Sequence, residues 1–464
     1  MFKPELKGIF FATFAFFILC CVIAFRYDGT GDAGDAVQHF LFAQYAFKHP
    51  ENFFSHWAKP LFTLVAAPFA QFGFVGIKIF NSLNAALTLF LTYRIALKLR
   101  LPNAWFVFVI LATCSQYFTL IFSGLSEHFS ALLLTSTIWL FLRKEYVLAT
   151  LIVSFLPFAR SEGLLLIGVT ALFLMAEKRG RVLPLLTVGH IFYSVAGWFF
   201  FHDLLWVFNR IPYASLSAYG HGSWFYFIDK MYYATGLPQS CLWILGSLGG
   251  FFYLFSKKET PQYKRIWGLI FGYFFVLLIA HSAFWYLGIF NSFGLARVTN
   301  TVMPEFALIA WLGFNALSEF ISNQKVKIAV QTGFIAATLL MPFSQNKAAI
   351  IFPKMFVKSA DQVVLNDITS YIRYKMPQNC VFYSNPCVPF YLNADPYDDA
   401  AARILSRLND TPLPDASIII WDNIFSVLDH NVSVEMLRQD ARFEEIKSWQ
   451  TADGAFQFTI FKKR

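Results

Sequence analysis

Three carboxylates, Asp28, Asp32 and Asp35, fall within the stretch YDGTGDAGDA (27–36), which follows an apolar run ending at Phe25. A carboxylate fixed at a surface is a general base, able to take a proton from a hydroxyl. His39 stands four residues after Asp35, so the two share a helix face and could orient one another. They could also share a divalent metal, although two ligands fall short of a site. Further ionisable residues recur where apolar runs turn back: Lys59 in the same outer segment, Glu127 and His128 in SGLSEHF, Arg160 and Glu162 in PFARSEG, Asp203 after FFFH, and Arg297 in GLARVTN. Charge near membrane depth is costly and usually faces a cavity or a partner. Carboxylates and arginines at several turn-backs on one side suggest a polar cleft opening outward. Each also has a plainer role. Loop acids are commonly solvated, Asp35 could cap a helix, and Arg160 and Arg297 could reach lipid phosphates as snorkelling side chains.

The elements that must hold these residues are membrane spans. Of the 464 residues, 57% are hydrophobic and 14% charged, against about 25% charged in soluble chains. Apolar runs lie near 8–25, 74–93, 105–123, 128–142, 146–158, 163–176, 183–202, 240–256, 267–289, 300–320 and 327–344. That predicts about 11 transmembrane helices, two of them short for the roughly 20 residues a span needs. The loops 1–7, 94–104, 142–146, 176–182, 257–266 and 321–327 carry 16 Lys/Arg in 47 residues. The opposite set, 26–73, 124–127, 158–163, 203–239 and 290–297, carries 7 in 103. The positive-inside rule therefore places the N-terminus in the cytoplasm and the acidic turn outside. The net charge of +9 has the same origin and is no nucleic-acid signal. Within the first outer loop, DAVQHFLFAQYAFKHP and AKPLFTLVAAPFAQFG read as two interfacial helices. The chain divides into a transmembrane domain, 1–350, and a soluble extracytoplasmic α/β domain, 351–464, in which CVFYS, ASIIIWD and AFQFTIFKK read as strands. Cys380 and Cys387 in that domain could form a disulfide in an oxidising compartment. No nucleotide-binding or HExxH motif occurs.

The sequence resembles the GT-C superfamily of integral membrane glycosyltransferases, which includes protein O-mannosyltransferases and bacterial lipid A aminoarabinose transferases. GDAVQHFLFAQYAFKHP and WAKPLFTLVAAPFAQFG look like its acidic first loop with two interfacial helices. SGLSEHFSALLLTSTIWLFLR looks like its serine/threonine–glutamate at the start of a span. LPFARSEGLLLIGVTALFL looks like its arginine–proline–glutamate–glycine element, with Ser161 in place of the proline, and GLARVTNTVMP like its late arginine-before-proline segment. The likeness implies a GT-C-like membrane fold in a bacterial cytoplasmic (inner) membrane. It implies inverting transfer of a hexosyl or mannosyl-type sugar from a polyprenyl-phosphate donor to a hydroxyl of a glycan, lipid or protein acceptor outside. Asp35, or its neighbour Asp32, would then be the base. Lys59, Arg160 or Arg297 would hold the donor phosphate, with His39, Glu127, His128, Glu162 and Asp203 as further substrate-binding residues. A divalent metal is the one cofactor to consider. A transporter or lipid flippase is the alternative, but it predicts repeat symmetry and charged spans at mid-membrane, and the sequence has no repeat. A catalytically inactive scaffold of the same fold is the third reading.

Overall fold

The structure is a computed structural model, and it describes residues 4–31, 34–100, 102–212, 216–217, 219–255, 261–344, 357–376, 380–409 and 413–464. The chain is a polytopic α-helical membrane protein with a small C-terminal sheet domain. Among the described residues six helices are long and apolar enough to cross a bilayer: Lys7–Arg26, Gly73–Leu99, Gly180–Phe201, Tyr263–Leu287, Ala296–Phe320 and Gln324–Phe343. Shorter apolar helices include Glu127–Leu142, Tyr146–Phe158 and Gly163–Ala176. In Ala296–Phe320, 89% of the most apolar window is buried, against 17% in Lys7–Arg26 and in Gln324–Phe343. The first is therefore the hub of the bundle and the others line its edge, where apolar side chains can face lipid. The expected run 105–123 is broken at Cys114 into Trp105–Thr113 and Ser115–Leu120. Just past the break Gln116 donates to the Ala296 carbonyl at 3.2 Å, so the second piece is tied to the start of the hub.

The expected interfacial helices form as Asp35–Tyr45 and Pro60–Ala70 and pack on one another. Above them sits a five-stranded sheet with strands β1 (Val381–Tyr383), β2 (Ala402–Ile404), β3 (Ile418–Asp422), β4 (Phe443–Gln450) and β5 (Gln457–Lys463). Its order is β2-β1-β3-β5-β4. The four pairings mix directions: β1 is parallel to β2 and β3, and β5 is antiparallel to β3 and β4. The helix Ala360–Lys375 opens on a capping box between Ser359 and Gln362, which satisfies two of its unpaired N–H groups.

One face of the sheet shares a core with the helix Asp35–Tyr45, Val381, Tyr383, Cys387 and Ile420 packing with Val37, Phe40 and Leu41. The other face holds Cys380, Phe382, Leu405 and Leu437. The expected Cys380–Cys387 disulfide does not form: alternation at the start of β1 sends Cys380 into the second core, while Cys387 begins the helix Cys387–Leu392 and lies in the first. Cys380 Sγ instead meets the Asp399 carbonyl and Cys387 Sγ meets Gln362, each at 3.6 Å. Polar contacts also seat the domain on the loop. Lys48 and His49 reach Asp395 at 2.7 and 2.9 Å, Lys358 reaches Asp28 at 3.1 Å, and Gln362 donates to Thr30.

Candidate active site

The turns that carry Asp35, Glu127, Arg160 and Glu162 converge because two glycines let backbones touch. A Cβ on Gly124 would lie 2.0 Å from the Ala36 carbonyl oxygen, so the SGLSEH turn can rest directly on the first turn of the Asp35 helix. A Cβ on Gly163 would lie 2.5 Å from the Leu156 backbone. This allows the chain to reverse tightly at PFARSEG and set Arg160 and Glu162 on the inner side of the turn. Lys59 takes a left-handed φ of 67° immediately before Pro60, the first residue of its helix. Such a φ is uncommon for a side chain without a special role. Arg297 enters from the 3-10 turn Ala296–Val302 that starts the hub.

These residues surround one cavity of about 340 Å³. Asp35, His39, Lys59, Arg160, Glu162 and Arg297 form its polar lining, and Leu164, Leu165, Phe227, Phe284, Phe290 and Leu295 its apolar wall. Arg160 lies at the centre of the charges. Its Nη1 is 2.9 Å from Glu127 Oε1 and its Nη2 is 2.7 Å from Glu162 Oε1. Arg297 pairs with Asp35 and approaches Glu127 Oε1 at 3.8 Å. Lys59 Nζ donates to Ser161 Oγ at 2.9 Å and to the His56 carbonyl at 3.0 Å. Ser161, the departure from the resembled motif, thus holds the lysine.

Burial and these partners set the protonation states. Burial pulls the Glu162 carboxyl up, but Arg160 and His281 outweigh it and hold it well below the usual carboxylate range. Burial pushes the Lys59 ammonium down to about 7. It also pushes the His39 imidazole down to about 3, against the pull of Asp35.

His39 stacks on Trp57, with ring centroids 4.8 Å apart. Asp35 is taken by Arg297, and no three His, Cys, Asp or Glu residues converge as a metal site would need among the described residues.

Three expected residues lie off this cavity, and the first, Glu127, is buried beneath Arg160. Asp203 accepts from the Leu205 N–H at 2.8 Å and from Asn209 at 2.9 Å, ordering its own loop. His128 points into the helical core, edge-on to Tyr117 at 4.7 Å, because it follows Glu127 by one residue and so leaves the helix on a different face. Asp32 lies outside the described residues.

The structure adds His281, whose Nε2 is 3.5 Å from Glu162 Oε1, and the turn carrying Phe290 and Asn291. A lone histidine inside LLIAHSAFWYL is the signal that could have found the first. Phe290 has a φ of 55° and Asn291 of 47°. For a bulky residue such a conformation is a genuine outlier, and it turns an aromatic ring toward the cavity.

No family model matches the chain, and no curated protein matches it significantly. Solved structures do. The crystal structure of ArnT from Cupriavidus metallidurans bound to undecaprenyl phosphate superposes with a TM-score of 0.62 and 11% identity, over 98% of this chain and 98% of that one. The chain has the ArnT fold. The same protein in its apo state gives a TM-score of 0.61 and 11% identity, over 99% of this chain and 98% of that one. The agreement runs through both the membrane part and the C-terminal sheet, so the GT-C-like architecture extends over the whole chain. At 11% identity, ArnT likeness speaks for the fold, and the chemistry must be argued from the cavity.

Proposed function

We propose that the protein is a membrane glycosyltransferase that moves a sugar from a polyprenyl-phosphate donor to a hydroxyl acceptor on the extracytoplasmic face. The observation that carries this reading is the cavity itself. It joins a half-exposed aspartate, two arginines and a lysine to an apolar wall at the outer ends of the spans. A donor with a wet sugar, a charged phosphate and a lipid tail needs those three surfaces together. The fold adds support, since one ArnT structure was solved with undecaprenyl phosphate.

In this mechanism Asp35 takes the proton of the acceptor hydroxyl. The oxygen attacks the anomeric carbon from the face opposite the phosphate, the carbon–oxygen bond to phosphate breaks, and the electron pair leaves with the phosphate. Configuration is inverted. Arg160, Arg297 and Lys59 stabilise the leaving phosphate, arginine being suited to bind two phosphate oxygens at once. Glu127 and Glu162 hold Arg160 in place, and His39 braces the Asp35 helix through its stack on Trp57. The sugar is of hexosyl or mannosyl type, and the acceptor a glycan, lipid or protein hydroxyl. Incubating the purified protein with a panel of radiolabelled polyprenyl-phosphate sugars tests the proposal. Transfer to an acceptor, or release of sugar to water, is expected with one of them. Inertness toward the whole panel, with a folded protein and added membrane extract as acceptor source, would overturn it.

A further inference from the structure

Among the described residues two carboxylates face Arg297, and they are not equivalent. The Glu127 side chain is 1% exposed, and its Oε1 lies near both guanidinium groups, 2.9 Å from Arg160 and 3.8 Å from Arg297. The Asp35 side chain is 44% exposed and pairs with Nη2 of Arg297. Removing one partner of a buried pair strands a charge and is strongly unfavourable. A solvated pair is screened and exchanges at little cost. Of these two partners of Arg297, Glu127 is fixed and Asp35 is exchangeable. The exchangeable one is the proposed base, and a carboxylate turned to a guanidinium is not turned to an acceptor hydroxyl. Nor is Asp35 committed to its helix terminus, where Gly34 occupies the N-cap.

We infer that the Asp35–Arg297 pair is a latch opened by the donor: the donor phosphate takes the edge of Arg297 that Asp35 holds, and the released carboxylate turns to the acceptor hydroxyl. This rests on the reading of the cavity as a lipid-phosphate glycosyltransferase site and adds an order to it. The donor binds first, and only then is the base uncovered. No covalent bond changes in the exchange, since one anion replaces another on the same guanidinium. Glu127 keeps Arg297 beside Arg160 throughout, so the two arginines meet the phosphate as a pair.

The test measures undecaprenyl phosphate binding to the full-length purified protein. The variants are Asp35→Asn, Asp35→Ser, Arg160→Lys, Arg297→Ala and, as a charge control, Asp429→Asn. Asp429 lies within electrostatic reach of Asp35, but its partner is the Tyr219 hydroxyl, at 3.3 Å. Removing the latch carboxylate should tighten binding about fivefold, the change expected for an ion pair worth about 1 kcal/mol. Asp429→Asn should change it less than about twofold, and Arg297→Ala should weaken it. If both Asp35 variants bind no tighter than Asp429→Asn while Arg297→Ala weakens binding, the latch is wrong and the phosphate site stands. If wild type does not bind the lipid, or Arg160→Lys and Arg297→Ala both bind as wild type does, the phosphate site itself fails. A readout on the wild type guards against misfolded variants. Carbodiimide modification of Asp35 should accelerate on adding undecaprenyl phosphate, and protection from it would overturn the latch.

Discussion

Lys59 gives phosphate binding a pH dependence whose sign and slope can be worked out beforehand. It is 5% exposed, and its ammonium donates to two neutral acceptors, the His56 carbonyl and Ser161 Oγ. Burial lowers its pKa from 10.5 to about 7; Glu162 and Asp35 pull it back up, and Arg160 adds to the lowering. His56 and His39 are pushed by burial to about 4 and about 3, so neither adds positive charge near neutrality. A phosphate arriving beside Lys59 favours the charged form. Above about pH 7 binding must therefore take up a proton, and log Kd rises by about one per pH unit, or about 1.4 kcal/mol. The lipid phosphate has an opposing titration of its own, its second ionisation near pH 6, which strengthens binding as pH rises and is complete before the window that matters. Undecaprenyl phosphate binding measured from pH 6 to 9 should weaken about tenfold between pH 7.5 and 8.5 in the wild type. Lys59→Arg, whose guanidinium stays charged, should be flat over that interval. Parallel curves for the two proteins would refute the assignment of Lys59 to the phosphate. Stability carries the same linkage. Between about pH 7 and 10.5 the unfolded chain binds a proton that the folded one does not, so this group makes the fold more stable as pH rises through that window.

Other outcomes follow from the pairings. Asp35→Asn should lower sugar transfer by about 10²–10⁴-fold with little change in melting temperature, since Gly34 and not Asp35 caps its helix; near-normal transfer by the folded variant would exclude Asp35 as the base. Arg160→Ala should be destabilised by about 3–5 kcal/mol because it strands Glu127 and Glu162, and adding Glu162→Gln should recover part of that loss in a thermal unfolding assay. Cysteines placed at Lys144 and Asp453, both on exposed turns, should be labelled from opposite sides of sealed vesicles, and labelling from one side would refute the N-inside, C-outside topology.

The spans were legible because a bilayer accepts few alternatives. A helix that crosses it must be apolar over its length, so runs such as 74–93 and 300–320 reappear within Gly73–Leu99 and Ala296–Phe320. The sheet was half legible. The buried strands β3 and β5 are apolar runs, whereas β4, FEEIKSWQ, is largely exposed and β2 has three residues. An exposed edge strand leaves little hydrophobic pattern to read. Within the cavity, residue types were legible and pairings were not. Asp35 and Arg297 are 262 residues apart, and their meeting depends on close approaches such as that of Gly124 to Ala36. His281 was hidden by the apolar run around it. Asp203 carries the same charge as Asp35, and only the hydrogen bonds within its own loop separate their roles.

Asp28 and Asp35, the described acids of the opening turn, separate on the same grounds. Asp28 faces Lys358 of the C-terminal domain, and two residues on, Thr30 accepts from Gln362. That end of the turn is therefore occupied in seating the domain. Asp35, at the other end, starts a helix and faces the cavity. Among the described residues the polar lining and Glu127 hold three carboxylates, Asp35, Glu127 and Glu162, against two arginines, Arg160 and Arg297, and Lys59, which completes the balance only when protonated. A site so balanced offers an incoming phosphate little net attraction, since each arginine already has a carboxylate. It gains anion affinity by giving up a carboxylate or by protonating Lys59. Glu127 and Glu162 are too deeply buried to leave. Asp35 can leave, and Lys59 has a pKa of about 7. The two groups that can adjust the charge of the cavity are thus the proposed base and the lysine beside the proposed phosphate site. On this reading donor binding, base release and proton uptake are one coupled event.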